Sequence, residues 1–139
     1  MRVVSDLNVI LDVLLTRHDS LECSEVLSLA RSGAIEAILP AHALATIYYI
    51  SRQKLGDNEV RRELKGRLNI LSVASLDHAT SLKAIDSPVS DFEDAIVVET
   101  AIQVNAEFII TRNLKDFVNS PIPALTSRAF MEYMFRLWS

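Results

Sequence analysis

Short apolar runs alternate with longer segments of helical periodicity along the sequence, and this alternation limits the folds that the chain can adopt. The runs are rich in Val, Ile and Leu, whereas the segments between them place apolar residues three or four positions apart. Strands that are separated by helices pair in parallel, because each helix returns the chain to the same end of the sheet. The sequence therefore predicts an α/β fold, with a mainly parallel sheet covered by helices on both faces.

The bounds of the predicted elements follow from the residues that end each pattern. Gly33 and Gly56 mark helix C-termini, where glycine is favoured. Ser90 and Glu93 fit a capping box at the start of a long helix, which is predicted to end near Asn105. A helix is also predicted directly after the first strand. The remaining predicted elements are strands at 2–5, 35–39, 69–74, 107–110 and 121–125 and helices at 20–32, 41–54, 57–67, 76–85 and 126–137.

Length, charge and glycine content exclude several classes of protein. A chain of 139 residues has the usual size of one domain, so residues 1–139 are expected to form a single domain. The formal net charge of −4 disfavours broad neutralisation of nucleic-acid phosphates, so any contact with nucleic acid must be local. Three glycines are too few for a phosphate-binding loop or a dinucleotide fingerprint. No apolar run approaches a membrane span or a signal peptide, so a cytoplasmic protein is expected.

Acidic side chains lie close to the carboxyl ends of two predicted strands. Asp6 follows the first strand directly, and Asn113 and Asp116 lie in the polar loop after the fourth. Asp91 and Asp94 are three residues apart at the start of a helix, which places them on one face. Each acid has an ordinary alternative role, as a turn former or as a partner of the helix dipole. Because ligands gather at the carboxyl ends of parallel strands, these acids are nevertheless predicted to meet at one rim of the sheet.

Asp6 interrupts an apolar run, where a carboxylate costs desolvation energy unless something binds it. A cation is the natural partner of such a group. Oxygen ligands favour Mg²⁺ or Mn²⁺ over zinc. His18, His42 and His78 are too scattered to suggest a zinc site, and we interpret them as surface or helix residues. Cys23 is the only cysteine, so the chain cannot form an internal disulfide.

Two segments resemble the PIN domain family. In residues 4–12, an apolar run is followed by an Asp, then by any residue and then by an Asn, and this pattern is similar to the opening motif of that family. Residues 91–95 and 108–117, separated by an apolar helix, resemble the second half of a PIN domain in composition and spacing. The resemblance covers nearly the whole chain and implies a three-layer α/β/α fold. Asp12, at the end of the first motif, is expected at the surface or just behind the metal ligands.

The resemblance implies a metal-dependent ribonuclease similar to the toxin half of VapBC toxin–antitoxin pairs. It implies that Asp6, Asp94 and Asp116 are the catalytic acids and hold Mg²⁺ or Mn²⁺, with Asp91 as a further candidate ligand. The bound ion and the flanking Arg112 or Lys115 are expected to attract the substrate phosphate. An RNA substrate, an antitoxin protein and a second copy of the chain in a homodimer are the implied partners. The implied supporting residues are Asn8, Asp91, Thr111 and Asn113.

The sequence departs from the family pattern in the third helix, where Thr46 stands at the position of an expected glutamate. The hydroxyl of Thr46 can orient a water, so Thr46 is a further supporting residue. It brings no negative charge, so the cation should bind more weakly, and Glu93 and Glu99 are the nearby candidates to compensate. The departure motivates a second hypothesis, a non-catalytic PIN-fold module that binds protein or RNA. A third hypothesis, phosphotransfer through an aspartyl nucleophile, is disfavoured because Asn8 stands where such enzymes place a second aspartate.

Overall fold

The computed structural model describes all 139 residues, which form one five-stranded sheet and seven α-helices. The strands are β1 (Arg2–Ser5), β2 (Glu36–Pro40), β3 (Leu71–Ala74), β4 (Phe108–Ile110) and β5 (Ala124–Leu125). The helices are α1 (Leu7–Leu14), α2 (Ser20–Ser32), α3 (Ala41–Leu55), α4 (Asp57–Arg67), α5 (His78–Ile85), α6 (Phe92–Gln103) and α7 (Ser127–Trp138), with a short 3₁₀ turn at Leu114–Phe117.

The strands lie in the order β3-β2-β1-β4-β5, and every neighbouring pair is parallel. Side chains of adjacent residues in a strand point to opposite faces of the sheet. Val3 accordingly packs with residues of α1, α2, α3 and α7, whereas Val4 packs with residues of α5 and α6. The fold is therefore a three-layer α/β/α sandwich, and the predicted fold class is confirmed. None of the helices combines the length and the apolar character that crossing a bilayer requires.

The observed bounds agree closely with the predicted elements at most positions. Helix α2 has the predicted bounds, and Gly33 follows it with a φ of +83°, a left-handed conformation that suits glycine. The predicted polar loop after β4 contains the 3₁₀ turn, whose Phe117 is buried in the core. Strand β2 is shifted by one residue and includes Pro40, since its last residue leads directly into α3.

The predicted capping box at Ser90 is wrong. The N-cap of α6 is Asp91, whose Oδ1 accepts a hydrogen bond from the amide of Asp94 at 3.0 Å. Asp is as good an N-cap as Ser, and both residues stood next to each other at the helix start. The same helix ends at Gln103, because Asn105 adopts a positive φ of +57°. Asp91 thus has a structural role at the start of α6, with its side chain oriented by that bond.

Candidate functional site

Asp6 joins β1 to α1 and is 4 % exposed. Its Oδ1 caps α1 by accepting the amide hydrogen of Leu7 at 2.8 Å, and its Oδ2 accepts the hydroxyl hydrogen of Thr111 at 2.9 Å. Burial raises the pKa of Asp6, while these two hydrogen bonds oppose that rise. A carboxylate oxygen can accept more than one bond, so Asp6 keeps acceptor capacity for a further partner.

Thr111 holds the loop after β4 against Asp6. It is 1 % exposed, and its amide donates to the carbonyl of Leu125 at 2.9 Å. The amide of Asn113 donates to the Thr111 hydroxyl oxygen at 3.1 Å. Thr111 therefore lies where a supporting residue was predicted, and Asn113 joins the same network through its backbone.

Asp94 lies in the first turn of α6, where other carboxylates surround it. The pKa of Asp94 is raised to about 7, first by burial and then by the negative charges of Asp6, Asp91, Asp116 and Glu93. Nearby negative charges disfavour the ionised form of a further carboxylate, so the part of this shift that burial does not cause reflects the closeness of these groups. We call these five residues the acid cluster.

Asp116 enters the acid cluster from the 3₁₀ turn, with an exposed side chain next to the buried Phe117. Its charge contributes to the raised pKa of both Asp6 and Asp94. The three predicted acids therefore come from three separate elements and share one electrostatic neighbourhood. No three His, Cys, Asp or Glu side chains, however, stand close enough together to form a ready-made metal site.

The chemistry of the acid cluster fits a hard divalent cation. Its donors are carboxylate oxygens, the ligand type that Mg²⁺ and Mn²⁺ prefer. A bound cation would also offset the mutual repulsion that raises the pKa of Asp94. The side chains of Asp94 and Asp116 are only partly buried or exposed, so they can rotate towards a common ligand. None of the three cavities of the protein is lined by a residue of the acid cluster.

Arg112 links the loop after β4 to Asn8 and Asp12 of α1 through two hydrogen bonds. Arg112 donates from Nη2 to the Oδ1 of Asn8 at 3.1 Å and from Nη1 to the Oδ1 of Asp12 at 3.1 Å. Asp12 is 1 % exposed and also pairs with Arg17 at 3.2 Å, so of its two expected positions the one at the surface is excluded. Asn8 therefore supports the loop after β4 through Arg112. The expectation that Arg112 attracts phosphate stays a prediction, and its guanidinium already has these two partners.

Helix α3 brings no carboxylate to the acid cluster. The Thr46 hydroxyl donates to the carbonyl of His42 in its own helix at 3.4 Å. Glu93 is one of the charges that act on Asp94, whereas Glu99 is not. Of the two acids considered as substitutes for the missing glutamate, only Glu93 lies near the site.

His42 is the residue at this site that the sequence analysis missed. Its imidazole is close enough to Asp6 and Glu93 for both charges to raise its pKa, although burial outweighs them and lowers it. The Nδ1 atom is buried without a hydrogen-bond partner. Its position in the sequence could have indicated this placement, because His42 is the second residue of the helix after β2 and lies one turn before Thr46, on the same face.

The chain is an α/β protein with an open parallel sheet, and its polar side chains gather at the carboxyl edge, where such proteins commonly bind their ligands. A family model described as PIN domain matches residues 2–115, and the chain therefore belongs to the PIN domain family. A search of curated protein sequences gives no match.

Two solved structures share the fold. VapBC2 from Rickettsia felis, bound to a DNA fragment from its promoter, superposes with a TM-score of 0.72 at 16% identity, covering 91% of this chain and 98% of that chain. VapBC-1 from nontypeable Haemophilus influenzae superposes with a TM-score of 0.68 at 14% identity, covering 92% of this chain and 99% of that one. Identities this low show similarity of fold alone.

Proposed function

We propose that this chain is a metal-dependent endoribonuclease that hydrolyses RNA phosphodiester bonds, as the toxin component of a type II toxin–antitoxin pair. The observation that carries the proposal is the gathering of Asp6, Asp94 and Asp116 at one edge of the sheet, where burial and then the neighbouring carboxylates raise the pKa of Asp94 to about 7. Membership of the PIN domain family and the fold shared with two VapBC proteins support the same function.

Asp6, Asp94 and Asp116 are the proposed ligands of Mg²⁺ or Mn²⁺, with Asp91 as a further candidate. When bound, such a cation lowers the pKa of a coordinated water and offsets charge on the phosphate. The residues of this chain orient the ligands. Leu7 and Thr111 fix both oxygens of Asp6 through hydrogen bonds, and the rigid first turn of α6 carries Asp94.

Lys115 is the proposed attraction point for the substrate phosphate. It is exposed in the 3₁₀ turn next to Asp116, and it has no ion-pair partner in the structure. A free ammonium group acts as a mobile point charge, which suits a phosphate that passes through the site. With Arg112 engaged by Asn8 and Asp12, Lys115 is the available cation of this loop.

Cleavage of a mixed RNA substrate by the purified protein tests the proposal. Wild type should cleave in Mg²⁺ or Mn²⁺ and stop cleaving in EDTA, and Asp94→Asn should reduce the rate by at least about 100-fold, since it removes a charged ligand. Glu107→Gln is the control, because Glu107 is an exposed acid at the opposite, amino end of β4. Metal-independent cleavage, or equal losses in both variants, would contradict the proposal.

A non-catalytic PIN-fold module is the second candidate function, and Thr46 favours it. Its hydroxyl bonds within α3, and no three metal-binding side chains stand at ligand distance from one another. Thr46→Glu separates the two candidates in the same cleavage assay. Activity in wild type supports the nuclease, whereas silence in wild type with activity in Thr46→Glu identifies a degenerate site on an intact scaffold.

An antitoxin protein is the proposed partner, and the groove between α3 and α4 is its proposed docking surface. The groove has a volume of about 580 Å³ and is lined by apolar side chains together with the basic residues Arg61 and Lys65. An amphipathic helix with acidic flanks matches both features. The residues that line the groove are Leu44, Tyr48, Arg61, Leu64, Lys65, Leu68 and Asn69.

A homodimer is the proposed oligomeric state of the chain, and sedimentation velocity measures it.

Co-purification with a small DNA-binding protein encoded next to this chain tests the docking surface. Leu64→Glu places a negative charge in the groove and should abolish the complex, because it repels acidic flanks and disrupts apolar contact. Leu21→Glu, at an exposed leucine in α2, is the control and should leave the complex intact. Equal binding by both variants would place the partner elsewhere.

A further inference from the structure

A small cavity lined by residues of α1, α2 and α4 contains two arginines and two serines. Its volume is about 200 Å³, and Ile70 in its lining directly precedes β3. The cavity therefore lies at the amino end of that strand, whereas the acid cluster lies at the carboxyl edge of the sheet. No acidic residue lines it, so both of its charged groups are positive. The complete lining is Val13, Ser24, Leu27, Ser28, Arg31, Arg67 and Ile70.

Helix α2 supplies most of the polar lining from one face. Ser24, Ser28 and Arg31 follow one another at intervals of four and three residues, so their side chains lie on the same side of the helix. Neither serine hydroxyl bonds to another protein group. Arg31 has no ion-pair partner. All three side chains are therefore free to bind a ligand.

Arg67 brings a second guanidinium to the cavity from the last residue of α4. Its Nε is buried and has no hydrogen-bond partner. Its ion pair joins Nη2 to the Oε2 of Glu63 at 3.5 Å, which is longer than a good charge-assisted hydrogen bond. A buried donor without an acceptor costs free energy, so natural structures seldom keep one. Arg67 thus offers a donor for which the chain itself provides no acceptor.

Basic residues in the last turn of a helix commonly complement the negative end of the helix dipole. Arg31 and Arg67 both lie in the last turn of their helices, so this role accounts for their charge. It does not account for the burial of the Arg67 Nε, because a charge that complements a dipole can remain in solvent. It also does not account for the meeting of both arginines at one cavity.

A phosphate group is the ligand whose chemistry matches this lining. Guanidinium N–H groups bind phosphate oxygens in pairs, and serine hydroxyls are further donors. Donors from two helices approach from several directions, which suits a tetrahedral anion better than a planar carboxylate. The cavity is smaller than the roughly 300 Å³ at which pockets for drug-sized ligands begin, so it takes the phosphate and leaves any ester substituent outside.

We propose that this cavity binds a phosphate group, either as the free ion or as the end of a phosphate monoester. Arg31 and Arg67 are its charged donors, and the hydroxyls of Ser24 and Ser28 complete the site. The bound phosphate supplies the acceptor that the buried Nε of Arg67 lacks. No residue of the acid cluster lines the cavity, so the inference does not depend on the proposed function.

Isothermal titration calorimetry with inorganic phosphate, at constant ionic strength, tests the inference. Wild type should bind phosphate saturably, and Arg31→Gln and Arg67→Gln should each weaken binding by about tenfold or more, since each removes charge-assisted hydrogen bonds. Arg62→Gln is the matched control and should keep the wild-type affinity, because Arg62 is an exposed arginine of α4 that pairs with Glu59 outside the cavity. Equal affinity in all four proteins, or no saturable binding by wild type, would overturn the inference.

Glu63→Gln keeps the test independent of any variant that fails to fold. Glu63 pairs with Arg67 but does not line the cavity. Removal of its charge frees the guanidinium, so the variant should bind phosphate about two- to fivefold more tightly than wild type. Weaker or unchanged binding would contradict the assignment of Arg67. Amide chemical shifts of the ¹⁵N-labelled protein should change around Ser24, Ser28 and Arg67, and changes confined to other residues would place the anion elsewhere.

Adenosine 5′-monophosphate and succinate identify the source of the anion in the same titration. Tighter binding of the nucleotide than of inorganic phosphate would assign the site to a monoester, whereas weaker binding would assign it to the free ion. Both results support a phosphate site. Tighter binding of succinate than of either phosphate compound would overturn it in favour of a carboxylate.

Discussion

At the scale of single residues, the site depends on how a buried carboxylate is stabilised at the end of a strand. Asp6 is 4 % exposed, and each of its two oxygens accepts one hydrogen bond from the protein. The bond from Leu7 comes with the start of a helix, whereas the bond from Thr111 requires the neighbouring strand to be in register. Thr111 is therefore the residue that links the fold to the orientation of Asp6.

Thr111→Val removes the hydroxyl with little change of shape. We expect it to lower the free energy of unfolding by about 1–3 kcal/mol, because Asp6 Oδ2 loses its donor in a buried position. Urea denaturation measures this. Thr111→Ser keeps the hydroxyl and should cost much less, so equal losses in the two variants would show that the methyl contact, not the hydrogen bond, matters.

Asp94 makes the stability of the metal-free protein depend on pH. Folding raises its pKa from 3.8 to about 7, so the folded state holds a proton that the unfolded state has lost between those values. This contribution destabilises the protein increasingly as pH rises through that window, is complete above pH 7, and is absent below about pH 4.

Asp94→Asn removes this penalty. Without divalent metal, the variant should be more stable than wild type at pH 8 by about 1 kcal/mol, a figure reduced because the side chain is partly solvated. The difference should vanish near pH 4, and Mn²⁺ should stabilise wild type only. Thermal unfolding at both pH values measures the effect, and a variant less stable than wild type at pH 8 would contradict it.

The sequence predicted part of this site because its hydrophobic pattern identified each segment as a strand or a helix. Asp6, Asp94 and Asp116 each lay next to the end of a strand or the start of a helix, and parallel strands share a carboxyl edge. The proximity of His42 was not readable, since it depends on the direction in which α3 leaves β2. The burial of Asp12 could not be predicted from the sequence either, because its partner Arg112 is 100 residues away in the chain.

At the scale of elements, α1 and the loop after β4 are held together by one buried ion pair. Asp12 of α1 accepts from Arg112 at 3.1 Å and from Arg17 at 3.2 Å, with 1% of its side chain exposed. Asn8, one turn earlier, accepts from the same guanidinium of Arg112. The loop that carries Asp116 therefore starts from a position fixed against α1.

Arg112→Met should destabilise the protein by about 2–4 kcal/mol, because it leaves the buried Asp12 with a single partner. The matched control is Arg128→Met, which removes an exposed arginine that pairs with Glu22 and should cost less than about 1 kcal/mol. Urea denaturation compares the two. A loss at Arg112 as small as that at Arg128 would show that the pair contributes little.

The bounds of an element could be predicted where a single residue ended the hydrophobic pattern. They were harder to predict where two adjacent residues could both cap a helix. Gly33 ended α2 at the predicted position. At the start of α6, Ser90 and Asp91 were both suitable caps, and the choice of Asp91 depends on how the preceding turn packs. Strand β4 begins at Phe108, one residue later than predicted, although the amide of Glu107 bonds to the carbonyl of Arg2 in β1.

At the scale of the whole molecule, the α/β class and the parallel sheet followed from the alternation of strands and helices. The strand order β3-β2-β1-β4-β5 did not, because periodicity within a segment carries no information on which strands become neighbours. That order places β1 at the centre, between β2 and β4. The centre of the sheet is where α3, Asp6 and Thr111 come together.

The net charge of −4 predicts a weak dependence of RNA binding on salt. Few phosphates can be neutralised, so log(kcat/KM) should fall with log[salt] at a slope of about −1 to −2 at constant free Mn²⁺. Lys115→Ala should reduce the steepness of that slope by about 0.7, the value for one phosphate contact with a single strand. A slope steeper than about −5 would show that a broad basic surface binds the RNA.

The carboxylates gathered at the sheet edge are proposed to bind divalent metal. Anomalous scattering from crystals of the wild-type protein grown with Mn²⁺ tests it most directly, because it locates the cation without assuming an activity. The account predicts one strong peak in contact with Asp6, Asp94 and Asp116, which is absent in Asp94→Asn. A peak elsewhere on the molecule, or none at all in wild type, would contradict it.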